Sequence, residues 1–180
     1  MDRRVTRIAI AQALYQIELM EEQDISKVID EFINDRKSLI EFYTEGTKIK
    51  ETKATTNSRK RKKDIDEIRI HRTMFESILR GTIQNLAEID EKIKEFISEN
   101  WAYERVERVL KSILRAGVYE LLYLCTPNKV VFNEYVEVTK CFYSDKKERS
   151  FINGVLHKIS TKYLGKISEK DENLEPDDNT

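Results

Sequence analysis

The sequence predicts an all-α protein, on three observations. Its 180 residues include only 5 glycines and 2 prolines, too few turn residues for a many-stranded sandwich or barrel. Charged residues make up 36% of the chain, a composition that suits long helices with solvated faces. Apolar residues recur at helical spacing in segment after segment, with polar stretches between them. A chain of this length forms one domain with a sizeable core, or two tightly joined helical halves.

Residues 3–20 read as the first helix, because Val5, Ile8, Ala9, Ile10, Ala13, Tyr15, Ile17 and Leu19 cover most of the helical wheel. One polar stripe carries Arg3, Arg4, Arg7 and Glu18, and the arginines are expected to be exposed at the N-terminal end. The helix dipole disfavours cations there, so a binding partner is one reason for their presence and surface variation is the other. A second amphipathic helix is expected over 24–43, carried by Ile25, Val28, Ile29, Phe32, Leu39, Ile40 and Phe42. Residues 44–63 lose the apolar signal and read as a mobile basic insertion.

Asp64 or Asp66 is the expected cap of the next helix, whose face carries Ile68, Met74, Phe75, Ile78 and Leu79. Gly81 falls inside that pattern, where glycine costs about 1 kcal/mol relative to alanine, so close packing against a neighbouring helix is expected. A run with Ile89, Ile93, Phe96 and Ile97 leads to Trp101. The most apolar helix then spans Val106 to Leu122 and is expected to be central. Thr126-Pro127 predicts an N-cap followed by the first helical residue of a helix running to about Phe142. Residues 144–149 read as a polar separator before the last helix, marked by Phe151, Ile152, Val155, Leu156, Ile159 and Tyr163. The domain is expected to end at 164, with a disordered acidic tail over 165–180.

The net charge of −1 is unevenly spread. Residues 48–63 carry eight bases and one acid, +7, whereas 166–180 carry six acids and two bases, −4. The rest is therefore at −4, so any nucleic-acid site on it must be a local patch. No stretch reaches the roughly 20 apolar residues of a membrane span, and no signal-peptide core follows the initial charges, so a cytoplasmic protein is expected. Cys125 and Cys141 are the only cysteines, which gives no material for a disulfide framework or a thiolate metal site; reduced, buried thiols are expected. His71 and His157 lack an i,i+4 partner histidine, and no phosphate loop or nucleophile elbow is present. No enzyme activity, metal or cofactor is expected.

Four blocks, in order, carry a family resemblance. Residues 3–16, Arg3-Arg4-Val5-Thr6-Arg7 to Ala11-Gln12-Ala13-Leu14-Tyr15-Gln16, resemble the arginine-rich opening helix of the NusB family. Residues 113–121 are similar to its central helix; Pro127 to Lys140 and Phe151-Ile152-Asn153-Gly154-Val155-Leu156 are the third and fourth blocks that resemble the family. The resemblance implies two small helical bundles packed together and binding of a single-stranded boxA-like RNA element in ribosomal RNA transcripts. It also implies a small-subunit ribosomal-protein partner, NusE, within an RNA polymerase antitermination complex. A longer, basic 44–63 connection, about one extra residue over 143–150 and the acidic tail depart from the family pattern.

Single-stranded RNA needs cations for its phosphates and planar groups for its unstacked bases. The candidates are Arg3, Arg4, Arg7 and Lys140 for the first need, and Tyr15, Phe142 and Phe151 for the second, with Gln12 as a base-reading amide. Each has a plainer reading: a solvated helix end for the arginines, a favourable C-terminal cation for Lys140, a core-edge amide for Gln12 and core packing for the aromatic rings. Asn133 and Glu134 read as members of a structural network, and Asn153-Gly154 as a tight helix approach. Two other functions compete: a helical protein-interaction adaptor without RNA contact, and the helical part of a ribosomal RNA methyltransferase. The second lacks any strand–glycine-rich–helix cofactor unit.

Overall fold

The computed structural model describes residues 3–20, 24–34, 69–97 and 103–165. Among the described residues there are seven α-helices, one 3₁₀ turn and no strand. They are α1 (Arg3–Leu19), α2 (Ile25–Asn34), α3 (Arg72–Gln84), α4 (Leu86–Lys94), a 3₁₀ turn (Tyr103–Arg105), α5 (Arg108–Tyr123), α6 (Asn128–Phe142) and α7 (Lys146–Tyr163). The all-α expectation holds. The 44–63 insertion, Trp101 and the tail beyond 165 lie outside the described residues, as does the second half of the helix expected over 24–43.

Two helices are buried on nearly every side. α1 buries an unbroken run from Val5 to Ala11 because it packs on α2, α3, α5 and α6. α5 buries Leu110 to Val118 without a break and packs on α1, α3, α4, α6 and α7, which confirms its central place. One contiguous apolar core runs through both. On one side of the α1–α5 seam lie α2 and α3; on the other, α6 and α7 pack along each other after a connection of three residues, Tyr143 to Asp145.

Several ends differ from the sequence expectation. α3 starts too late for Asp64 or Asp66, which fall outside the described residues, and His71 caps it instead: Met74 N–H donates to His71 Nδ1 at 3.3 Å. The His71 amide in turn donates to Thr6 Oγ1 of α1 at 2.9 Å. α6 begins one residue late, with Pro127 rather than Thr126 in the capping place; its carbonyl accepts from the amides of Val130 and Val131. The polar separator over 144–149 is itself helical from Lys146, five residues before Phe151. An exposed first turn needs no apolar residue, and Glu148 there suits the positive end of the helix dipole. Cys125 is exposed and Cys141 only half-buried, so the thiols are less sequestered than expected.

A buried ion pair crosses the core. The Arg7 side chain is 3% exposed and donates from Nε and Nη2 to the two oxygens of Glu120, at 2.9 and 2.6 Å; Glu120 is 1% exposed. Fully buried Tyr135 donates its hydroxyl to Glu120 at 3.0 Å, and its ring centroid lies 5.9 Å from the Arg7 guanidinium. Burial works against the Arg7 charge, but the hydrogen bond and charge of Glu120 outweigh it and hold the pKa above its ordinary value. Arg7 thus joins α1 to α5, and the expectation that it is exposed is overturned: its place on the polar stripe of α1 faces a carboxylate from another helix.

A second network sits at the other end of α1. Arg115 of α5 donates to both oxygens of Asp90 at 2.8 Å and to Glu18 at 2.8 Å, and Tyr103 donates to Asp90 at 2.6 Å. It ties α1, α4, the 3₁₀ turn and α5 together.

Replacing one member of a buried pair leaves the other charge uncompensated, which costs about 3–5 kcal/mol. Arg7→Met and Glu120→Gln are each expected to lower stability by about 3 kcal/mol in urea unfolding, and the double variant by clearly less than their sum. Additive losses would mean that the two groups act independently.

The glycines give a contrast in sign. A Cβ at Gly81 would meet the Tyr119 ring at 2.0 Å, whereas one at Gly154 meets nothing within 4 Å, so the tight approach expected at Gly154 is absent. Gly154→Ala is expected to stabilise by about 0.5–1 kcal/mol through helix propensity. Gly81→Ala should destabilise by about 1–2 kcal/mol, because moving the Tyr119 ring outweighs the same gain. The two urea midpoints should move in opposite directions.

Candidate nucleic-acid interface

Two of the candidate cations, Arg4 and Lys140, meet on α6. Arg4, one turn before Arg7 on α1, donates to Glu134 from Nε at 3.2 Å and from Nη2 at 2.7 Å. Glu134 also accepts from Arg7 Nη1 at 3.4 Å, so this single carboxylate joins the buried cation to the half-buried one. The network reading of Glu134 holds, while Asn133 beside it is exposed. Arg4 Nη1 lies 3.9 Å from Oε2 of Glu137, and Glu137 Oε1 accepts from Lys140. Arg4 and Lys140 therefore meet at one carboxylate although 136 residues separate them in the sequence.

Phe142 is the last residue of α6 and Phe151 lies in the second turn of α7; both are half-buried and pack against the core with one side. Arg3 is exposed at the start of α1.

Gln12 and Tyr15 stand apart from the group. Both are half-buried on α1, and Gln12 is nine residues from Arg3, half a revolution at 100° per residue, so the two face opposite sides. Tyr15 returns to the face of Arg4 but lies about 16 Å further along the axis. Of the eight candidates, Arg4 and Lys140 meet at Glu137, Phe142 ends α6, Arg3 and Phe151 lie near the starts of α1 and α7, Gln12 and Tyr15 lie along α1, and Arg7 is beneath the surface.

Sequence reasoning missed three cations. Because α7 starts at Lys146, exposed Lys146 and Lys147 and half-buried Arg149 stand on its first turn, between Phe142 and Phe151. Arg149 donates to the carbonyls of Asp145 and Ser144 at 3.1 and 3.3 Å. Ser144-Asp145 ahead of a Glu148-containing turn is the helix-start signal that would have placed them.

Burial, with weaker opposing and reinforcing charges around it, raises the pKa of Cys141 and keeps the thiol protonated. Among the described residues no group of three His, Cys, Asp or Glu side chains is placed to hold a metal ion, and no helix is long and apolar enough to cross a membrane. Two open clefts, of about 620 Å³ between α4 and α7 and about 810 Å³ on α2, do not border the candidate residues. The arrangement brings two cations from different helices, Arg4 and Lys140, to one carboxylate of α6.

A model of the NusB family matches residues 4–161. The chain is 35% identical over 159 residues to a transcription antitermination protein NusB of Caulobacter vibrioides, covering 88% of this chain and 91% of that protein. It is 33% identical over 159 residues to that of Sphingopyxis alaskensis, covering 87% and 91%. The solved structure of T. maritima NusB superposes with a TM-score of 0.60 at 26% identity, over 91% of this chain and 93% of that one. Fold and sequence agree along the whole helical body: the chain belongs to the NusB family of transcription antitermination proteins.

Proposed function

We propose that the chain binds a boxA-like single-stranded element of ribosomal RNA transcripts and acts in the cytoplasm, with the ribosomal protein NusE, in an RNA polymerase antitermination complex. The observation that carries this reading is the meeting of Arg4 from α1 with Lys140 at the end of α6, where Phe142 terminates the helix. Family membership supports it, and so do the antitermination proteins among the relatives.

In this reading residues 1–164 are the RNA-binding domain. Arg3, Arg4 and Lys140 meet phosphates, and Phe142 and Phe151 offer ring faces to unstacked bases. Arg7 acts from below as a positioning residue, since its buried cation holds Glu134 and Glu134 holds Arg4. Tyr15 and Gln12, further along α1, would meet other nucleotides or the protein partner. No catalytic step is invoked.

One observation favours a protein-interaction adaptor instead: Arg4, Arg7 and Lys140 all have carboxylate partners within the chain. The two readings separate in fluorescence-anisotropy titrations at fixed salt. A boxA-like strand should bind more tightly than a scrambled one. Arg4→Ala with Lys140→Ala should weaken binding about tenfold and lower the slope of log K against log salt by about 1.4, or 0.7 for each lost phosphate contact on a single strand. Equal affinity for both strands would sink sequence recognition. A stable complex with NusE but no RNA affinity, with or without that partner, would establish the adaptor.

A further inference from the structure

We propose that Glu137 is a built-in competitor for phosphate, occupying Arg4 and Lys140 until a strand displaces it; this inference rests on the RNA-binding reading above. Arg4 touches two carboxylates of unlike standing. Both oxygens of Glu134 are engaged, one by Arg4 and the other by Arg4 together with buried Arg7, and its side chain is 19% exposed. Pulling Glu134 away would strip one anion from a desolvated guanidinium. Glu137 stands nearer to solvent. Its side chain is 34% exposed, with Oε1 on Lys140 and Oε2 3.9 Å from Arg4 Nη1.

A Glu–Lys pair three residues apart on one helix is ordinary and contributes only a few tenths of a kcal/mol. The approach of Arg4 from another helix makes this pair different. One carboxylate spans the two half-buried cations with its two oxygens, as two non-bridging oxygens of a phosphate would. Ion pairs this open to solvent are weak, so the carboxylate can swing into water when a phosphodiester arrives. A phosphate releases counterions from the RNA as it docks, which the carboxylate cannot do. The exchange taxes every anionic strand alike, whatever its sequence. It holds down non-specific binding and leaves base contacts to decide which strands remain bound.

The test is Glu137→Gln in the full chain, which removes the charge and keeps the shape. Anisotropy titrations would use the boxA-like and scrambled strands at low and at high salt. Glu137→Gln should tighten both strands about fivefold at low salt, with the gain shrinking at high salt. Glu91→Gln on α4, which makes the same change in net charge at a carboxylate paired with Lys94, should change either affinity by less than about twofold. The gain should vanish when Glu137→Gln is placed in the Arg4→Ala, Lys140→Ala background. The urea midpoint should match that of the unaltered protein, which separates this role from a structural one.

Unchanged or weaker binding by Glu137→Gln, or equal tightening by Glu91→Gln, would overturn the proposal while leaving the RNA reading in place. If neither the unaltered protein nor any variant binds either strand, the RNA reading fails and this inference falls with it.

Discussion

A cation taken into a protein interior must carry its counter-charge with it, and that requirement governs how α1 is seated. Arg7 enters the core from α1 and finds Glu120 on α5, with Tyr135 of α6 closing the group. Hydrogen bonds at 2.6 and 2.9 Å fix the rotation of α1 about its own axis as apolar contacts cannot, because a slipped apolar face can find other apolar neighbours. Once Arg7 points inward, the preceding turn is determined: Arg4 comes to the rim, over the C-terminal half of α6. The placement of the candidate RNA face is thus a consequence of a pair buried beneath it.

A single anchor would leave α1 free to pivot, and the Arg115 group supplies the second. Glu18, near the end of α1, shares Arg115 with Asp90 of α4. Eleven residues separate Arg7 from Glu18, about 16 Å of helix, so α1 is pinned to α5 close to both its ends. Tyr103 completes the second group, with burial and the Asp90 hydrogen bond pushing its pKa up. These two groups are polar islands in an otherwise apolar seam, and they specify register where the apolar residues supply cohesion.

Periodicity makes α1 and α5 legible because their apolar runs are long and helical. It fails at Arg7 for a physical reason: a helical wheel knows only its own helix, and Arg7 is satisfied by a carboxylate 113 residues away. The signal was nonetheless present on the other side of the pair. Glu120 stands between Tyr119 and Leu121 in the most apolar helix, and a carboxylate there needs a cation from elsewhere. The same logic applies to Arg115, whose partners are likewise on other helices. The start of α7 was lost differently: its exposed first turn carries no apolar residue, so only capping chemistry could mark it. Family resemblance nominated the cations of α1 and α6, but it could not say which of them are open to solvent. That depends on pairings between helices.

Taken from the interior outwards, the charges alternate: Glu120, Arg7, Glu134, Arg4, Glu137, Lys140. The members at the core end are almost sealed from water and those at the rim are about a third exposed or somewhat less. Because the penalty for separating charges falls as water gains access, the same kind of contact is rigid at one end of the chain and exchangeable at the other. A row of bare surface arginines would offer charge without fixed geometry, and a wholly buried network would offer geometry without access. Grading one network from sealed to wet lets a surface hold its cations in place and still give up its internal anion. On the proposed RNA-binding reading, choosing one strand among many polyanions needs both properties.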